Sequence, residues 1–349
     1  MEGKTCESVV MEVDTIDDSV RAARATFSNS LANTAYVSGM KDTLLTRIDT
    51  ITWKPVFTSR VQIPQIDGIF EDRWGKIWVV SLNKQISIFK FNSNLYLEES
   101  YTDSTDKSSL VFDSANPCVM DSKRECIYFP AGLSEIKVLV IKKDKAEDKN
   151  EKTAEIVSLF GSLKRALIFD MQLTADDRYL IVDEGSRSIR IIDTTTRQSF
   201  EQFLDASKEK MSRPLCLSDP QYVIFSGIIR STPMVSLFKH KSGTLELRTT
   251  LVFEGFKVSD GKECVAGMVK IAMIREGIER VCIVTSHRRI FILQISTVSE
   301  RILVESELDL SFKQRHKIEM GVKSLHFGGS TLLFYTDNKD KPTTRLTIK

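Results

Sequence analysis

An apolar pattern of one kind recurs seven times along the chain. Each copy contains a short, intensely apolar stretch, then a tight polar turn, then a second stretch rich in β-branched residues. The copies follow one another at intervals of about 40 to 60 residues, which is typical of propellers and solenoids. One such unit cannot bury both of its faces and must stack on its neighbours. The apolar stretches lie at residues 35–38, 77–81, 126–129, 179–182, 222–226, 280–285 and 331–335.

The second copy shows the internal organisation of a unit most clearly. Four apolar or alternating segments are separated by turns at residues 72–75 and 83–84 and by a polar break before residue 95. In the third segment Ile86, Ile88 and Lys90 alternate with Ser87 and Phe89. A period of two residues predicts a half-buried β-strand. Each unit is therefore predicted to be a sheet of four antiparallel strands.

Two stretches carry a resemblance to known repeats. The sequence Thr-Ala-Asp-Asp-Arg-Tyr-Leu-Ile-Val-Asp at residues 174–183 is similar to middle strands of the Trp-Asp-repeat and NHL-like β-propeller superfamily. The sequence Glu-Asp-Arg-Trp-Gly-Lys-Ile-Trp-Val at residues 71–79 resembles sensor propellers with an Asp-x-x-Gly turn. The chain lacks the Gly-His dipeptide and the Trp-Asp strand end. The resemblance therefore implies the architecture and identifies no particular family.

The expected fold is all-β: a single seven-bladed β-propeller over residues 1–349. The last unit supplies only three strand segments, which would leave a sheet edge unpaired. Residues 8–13 (Ser-Val-Val-Met-Glu-Val) form one unassigned strand segment. We expect this N-terminal strand to close the last blade; the alternative is an acidic tail without structure. The predicted blades cover residues 20–63, 64–102, 110–160, 163–205, 210–253, 262–311 and 318–349.

Composition places few limits on function. The formal net charge is +2, so no strong global attraction to nucleic acid or anionic lipid is expected. Six cysteines are scattered without a Cys-x-x-Cys pair, which favours a reducing compartment. Neither a signal peptide nor a run long enough for a membrane helix is present in the sequence. We expect a cytoplasmic or nuclear protein with no membrane association.

Catalytic motifs are missing from the sequence. The four histidines have no paired spacing, and no nucleophile elbow, Walker loop or dinucleotide fingerprint occurs. Asp67, Asp113 and Asp170 fall near predicted inner strands, where regucalcin- and gluconolactonase-like propellers hold a divalent ion. Carboxylates in separate blades are also typical of exposed turns. We therefore expect no cofactor and no metal, and a non-enzymatic protein.

The turns between the second and third strands of each blade supply the candidate binding residues. They project from one face and are basic on the fifth and sixth blades, where no acid is interleaved. Guanidinium groups bind oxyanions through two parallel hydrogen bonds, and exposed apolar side chains mark contact surfaces. A loop at residues 255–261 adds a phenylalanine. The candidate partner-binding residues are Arg187, Ile228, Ile229, Arg230, Phe256, His287, Arg288 and Arg289.

Three functions remain open at this point. The preferred hypothesis is a protein-interaction scaffold, working as a Trp-Asp-repeat-like subunit of a multiprotein assembly. The second is an RNA- or phosphopeptide-binding propeller that uses the basic turns, although these turns lack the aromatic residues that stack on bases. The third is a hydrolase of the lactonase-like type with a metal in the channel. Fold analogy alone does not decide between them.

Overall fold

The computed structural model describes β-strands throughout, and the described strands form seven four-stranded sheets. Six sheets consist of four consecutive strands each; we call these blades 1 to 6. The described residues are 11–15, 24–38, 43–82, 85–103, 118–121, 123, 125–131, 135–142, 153–160, 168, 170–184, 188–203, 209–229, 232–253, 265–285, 289–309, 322–328, 331–336 and 344–348.

Blades 1 to 3 are antiparallel meanders. The strands of blade 1 are β2 (Arg24–Phe27), β3 (Thr34–Ser38), β4 (Thr46–Asp49) and β5 (Pro55–Thr58). Those of blade 2 are β6 (Gly68–Glu71), β7 (Ile77–Ser81), β8 (Ile86–Phe91) and β9 (Leu97–Asp103). Those of blade 3 are β10 (Val119–Asp121), β11 (Cys126–Ala131), β12 (Glu135–Ile141) and β13 (Ala154–Phe160).

Blades 4 to 6 have the same strand order, and the strands of blades 5 and 6 are longer. Blade 4 contains β14 (Asp170–Leu173), β15 (Tyr179–Asp183), β16 (Ser188–Asp193) and β17 (Ser199–Phe203). Blade 5 contains β18 (Glu209–Cys216), β19 (Tyr222–Ile229), β20 (Thr232–Lys241) and β21 (Thr244–Val252). Blade 6 contains β22 (Val265–Arg275), β23 (Ile278–Thr285), β24 (Arg289–Ser296) and β25 (Arg301–Asp309).

The seventh sheet, which we call the composite sheet, joins the first described strand to the last three. Its order is β1 (Met11–Thr15), β28 (Thr344–Ile348), β27 (Thr331–Thr336) and β26 (Val322–Gly328). Strand β1 pairs antiparallel with β28, and Val13 lies opposite Leu346. The structure thus shows six blades, and the prediction of seven blades was wrong. The composite sheet is described by the pairing of its backbone strands. The six blades are consecutive in sequence because each hairpin closes locally, whereas the composite sheet depends on one long-range pairing.

The first strand of each blade lies innermost, and the sheets follow one another around an axis. Strand β26 of the composite sheet lies against both β22 of blade 6 and β2 of blade 1, so the ring is closed. Separate cores fill the spaces between successive blades, for example Trp78 and Ile88 against Phe129 between blades 2 and 3. Strand β7 is buried at every position because its sheet is covered on both faces.

The ring has two faces. Because the strands are antiparallel, the turns that join the first to the second strand and the third to the fourth strand lie on one side, which we call the lower face. The turns between the second and third strands lie on the opposite, upper face. The described residues contain no helix that is long and apolar enough to cross a membrane.

Candidate functional site

Exposed apolar side chains cluster on the lower face of blades 1 and 2. Ile51, Trp74 and Tyr96 lie in three lower turns and are 68%, 41% and 52% exposed. In blades 4 and 5, none of the exposed large apolar side chains of the described chain lies in a lower turn. The lower face thus has an apolar side, at blades 1 and 2, and a polar side, at blades 4 and 5. Exposed apolar clusters on a folded domain mark contact surfaces.

Turn hydrogen bonds hold these side chains in place. In the turn of blade 2, Asp72 Oδ1 accepts hydrogen bonds from the backbone N–H of Trp74 and of Lys76, both at 2.9 Å. Its other oxygen, Oδ2, accepts the indole N–H of the buried Trp78 at 2.8 Å. The Arg73 guanidinium stacks 4.4 Å from the Trp74 ring. Trp74 is therefore presented by an ordered turn, which reduces the entropy lost on binding.

The turns of blades 1 and 2 are also tied to each other. Arg47 of blade 1 donates hydrogen bonds to Ser93 O at 2.9 Å and to Asn94 Oδ1 at 3.1 Å in blade 2. The Tyr96 ring lies 5.7 Å from the Phe57 ring. The lower turns of these two blades thus form one continuous surface.

A neighbouring group of exposed apolar residues belongs to blade 6. Five of the eleven large apolar side chains that are exposed in the described chain lie there. Val298, at the tip of the turn between β24 and β25, is 81% exposed. It packs over Gly277, where a Cβ would lie 2.6 Å from Val298 Cγ2 and where the φ of +72° also favours glycine. Blade 6 is separated from blade 1 by the composite sheet alone, so we treat blades 6, 1 and 2 as one arc of the lower face, the apolar arc.

A second candidate region consists of buried charges at the upper end of the innermost strands. Arg24 and Asp170 begin β2 and β14 and pair with the last residues of the second strands, Ser38 and Asp183. Asp67 lies immediately before β6 and donates its N–H to Val80 O at 2.8 Å. The three residues therefore hold equivalent places in blades 1, 4 and 2.

Arg24 and Asp67 are well paired. Arg24 Nε donates to Asp67 O at 3.1 Å across the boundary between their blades. Asp67 Oδ1 accepts from Gln65 Nε2 at 2.7 Å, and Oδ2 accepts from Leu82 N at 2.8 Å. Burial nevertheless raises the pKa of Asp67, because these bonds only partly replace the lost hydration.

Asp170 is the chemically unusual group. It is 5% exposed, and its Oδ1 has no hydrogen-bond partner. Burial raises the pKa of Asp170 to about 7; the positive charge of Arg213 opposes this shift and the negative charge of Asp183 adds to it. A carboxyl group with such a pKa can exchange a proton near neutrality. Within the described residues, no group of three His, Cys, Asp or Glu side chains is placed to hold a metal ion, and Asp113 lies outside them.

Comparisons with solved structures agree with this arrangement of sheets. No family model and no curated protein matches the chain. Among solved structures, the Cps50 (Swd1) beta-propeller domain of Myceliophteria thermophila is 10% identical, with a TM-score of 0.65 over 97% of this chain and 99% of that chain. The fold is a β-propeller.

Two further propellers show how widely the likeness extends. Virginiamycin B lyase from Staphylococcus aureus is 13% identical, with a TM-score of 0.62 over 97% of this chain and 99% of that chain. A chain in the Mitotic Checkpoint Complex is 10% identical, with a TM-score of 0.63 over 99% of this chain and 96% of that chain. At such identities the likeness shows the propeller fold and no function.

Most of the binding residues predicted from the sequence lie outside the described residues. This is the case for Arg187, Arg230, Phe256, His287 and Arg288.

The remaining three are placed in or beside strands. Ile228 and Ile229 lie in β19 opposite Pro233 and Thr232, so the strands of this hairpin extend further than the sequence suggested, and Ile228 is half-buried. Arg289 begins β24 and pairs with Glu307, with a hydrogen bond of 2.9 Å from Nε to Oε1. Its guanidinium also lies 5.3 Å from the Phe291 ring. Its charge is therefore largely committed within the blade.

The sequence pattern did not predict the apolar arc. In the sequence, Trp74 stands out only as part of a turn motif, and Ile51, Tyr96 and Val298 do not stand out. One signal was available: these large apolar residues lie in otherwise polar turns that begin at Asp49, Asp72, Asn92 or Ser296.

Proposed function

We propose that this chain is a non-enzymatic protein-interaction module, a subunit of a larger assembly, whose partner docks on the apolar arc of the lower face. The observation that carries the proposal is that, among the described residues, the exposed large apolar side chains in the lower turns belong to blades 6, 1 and 2. Aromatic side chains with arginine neighbours, such as Trp74 with Arg73, have the composition of binding hot spots. One similar propeller is a chain of the Mitotic Checkpoint Complex, which is a multiprotein assembly by its name.

The proposal is tested by comparative affinity purification. The tagged wild-type chain is compared with a triple variant, Ile51→Asp, Trp74→Ser and Tyr96→Ser, which removes the apolar contacts of blades 1 and 2. The control is Thr195→Asp, Arg197→Asp and Gln221→Asp, at exposed positions in the polar lower turns of blades 4 and 5.

We expect the triple variant to lose at least about tenfold in recovery of the main partner, since buried anchors at an interface contribute that much or more. The control should recover the partner as the wild type does. Thermal unfolding of all three proteins checks that the fold is intact. Equal recovery by the wild type and by a folded triple variant would refute the proposal.

Binding of RNA or phosphopeptides at the upper face receives less support. Of the basic residues predicted for it, Arg289 is the one whose side chain is described, and it is paired with Glu307. An anion would have to compete with this carboxylate.

An enzymatic function in the channel is the second candidate. The buried Asp170, whose Oδ1 has no hydrogen-bond partner and whose pKa is about 7, supports it, as does the likeness to propellers named as lyases. A screen of the purified chain on lactones and virginiamycin B, with and without Mg²⁺, tests this function. Turnover by the wild type that is lost in Asp170→Asn would favour the enzyme, and no turnover would favour the interaction module.

A further inference from the structure

A groove opens at the lower end of blade 6, on the side that faces the composite sheet. It has a volume of about 600 Å³. Its walls come from the lower ends of all four strands of the blade and from both lower turns. The lining residues are Arg275, Glu276, Ile278, Gln294, Ser296, Val298, Ser299, Arg301 and Leu303.

The groove exists because a long blade packs beside a short sheet. Strands β22 to β25 contain 11, 8, 8 and 9 residues, whereas β26, β27, β28 and β1 contain 7, 6, 5 and 5. On this side of blade 6, Cys282 and Ile292 are completely buried, whereas Leu303, two rows further down, is 55% exposed. The apolar surface of blade 6 therefore continues below its covered part.

An ion pair lies at the boundary between the covered part and the groove. Arg280 Nε donates to Glu305 Oε2 at 2.8 Å, and Arg280 lies in the same row as the exposed Leu303. The groove at and below this row is amphipathic, with Ile278, Val298 and Leu303 as its apolar part.

The charges at the groove are unbalanced. Arg275 and Arg301 are exposed, and neither forms an ion pair with any residue that the structure describes. Elsewhere in the same blade, Arg280 and Arg289 are paired with Glu305 and Glu307. Glu276 is the one acidic side chain among the groove's lining residues. A ligand that presents carboxylates on both sides of an apolar side chain would complement this arrangement.

We infer that this groove binds a segment of a protein partner in which an apolar side chain is flanked by aspartate or glutamate residues. The apolar side chain would fill the space between Ile278, Val298 and Leu303, and the carboxylates would reach Arg275 and Arg301. The inference rests on the proposed function, because it gives the partner of the apolar arc its chemistry.

The test uses the full-length chain and synthetic peptides of about twelve residues, followed by fluorescence anisotropy. One peptide carries leucines flanked by glutamate and aspartate, and a matched peptide carries lysine at every acidic position. The groove variant is Arg275→Glu with Arg301→Glu. The control variant, Arg197→Glu with Lys241→Glu, makes the same change in net charge at exposed positions of blades 4 and 5.

We expect the wild type to prefer the acidic peptide and the groove variant to bind it roughly 3- to 10-fold more weakly, as two exposed ion pairs allow. The groove variant should in turn favour the lysine peptide, and the control should change the affinity by less than about twofold. Equal affinity of the wild type for both peptides, or equal weakening by the control, would overturn the inference.

Further measurements distinguish two other occupants of the groove, a second copy of the chain and residues 1–10 of the chain itself. Self-association of the wild type that is lost in the groove variant, without peptide binding, would assign the groove to a second copy of the chain and overturn the inference. If deletion of residues 1–10 increases peptide binding and leaves the charge preference unchanged, the inference is supported. Residues 1–10 would then compete with the peptide for the groove. The proposed function is judged separately, because its triple variant leaves all groove residues unchanged.

Discussion

Asp170 is a buried carboxyl group at the upper end of an innermost strand. Its pKa of about 7 exceeds the ordinary aspartate value because burial penalises the carboxylate, and Arg213 compensates only in part. The folded chain therefore keeps a proton on Asp170 between about pH 4 and pH 7, where the unfolded chain has released it. The stability of the fold falls as pH rises through this window.

Replacing Asp170 by asparagine should remove this pH dependence. Relative to the wild type, the free energy of unfolding of Asp170→Asn should rise by on the order of 4 kcal/mol from pH 4 to pH 8. Urea unfolding of both proteins at several pH values measures it. Titrating groups that do not interact with Asp170, such as Asp67, cancel in the comparison.

A difference that stays constant across this range would mean that Asp170 titrates as an ordinary surface carboxylate. It would also remove the main support for an enzymatic role in the channel.

At the scale of the elements, the composite sheet depends on the pairing of β1 with β28. In an antiparallel pair, the N–H groups of successive residues point alternately towards the partner strand and away from it. Of Val13 and Asp14, one N–H must therefore bond to β28 while the other points outwards.

Proline substitution at each of these two positions should show which N–H bonds to β28. One of Val13→Pro and Asp14→Pro should lower the free energy of unfolding by about 1–3 kcal/mol, because it leaves a carbonyl of β28 without its donor. The other should be nearly neutral, and Val13→Thr serves as the control that keeps the N–H. Thermal or urea unfolding measures all three. If neither proline variant is destabilised, the pairing of β1 with β28 does not stabilise the composite sheet.

The length of the strands also determines where binding surfaces arise. The short strands of the composite sheet meet the long strands of blade 6, and the mismatch leaves apolar surface uncovered. Edge strand β5 carries Pro55 and edge strand β9 carries Glu98 and Glu99, which oppose unwanted strand pairing. Edge strand β25 instead exposes Leu303 and Val304, in agreement with a docking role for its blade.

At the scale of the whole molecule, the all-β ring of four-stranded sheets was predictable. Strands such as β7 and β15 are covered on both faces, so they need nearly continuous apolar runs that stand out in the sequence. The pairing of the first described strand with the last blade segment was also visible as a missing strand, although β1 covers Met11–Thr15 where residues 8–13 were expected.

The position of the candidate site was not predictable in the same way. Whether an apolar residue in a turn is exposed depends on how far the neighbouring blade reaches, which the sequence of that blade alone does not reveal. Ile228 illustrates one error, since its hairpin extends and the residue lies in a strand. Val298 illustrates the other, since its exposure follows from the turn packing over Gly277.

The central claim is that a partner covers the apolar arc of the lower face. Hydrogen–deuterium exchange of the purified complex, compared with the free chain, tests it most directly. We predict slower exchange in the lower turns at residues 50–54, 92–96 and 297–300, and unchanged exchange in those at 194–198 and 242–243. Protection confined to the upper turns, or to the lower turns of blades 4 and 5, would contradict the account.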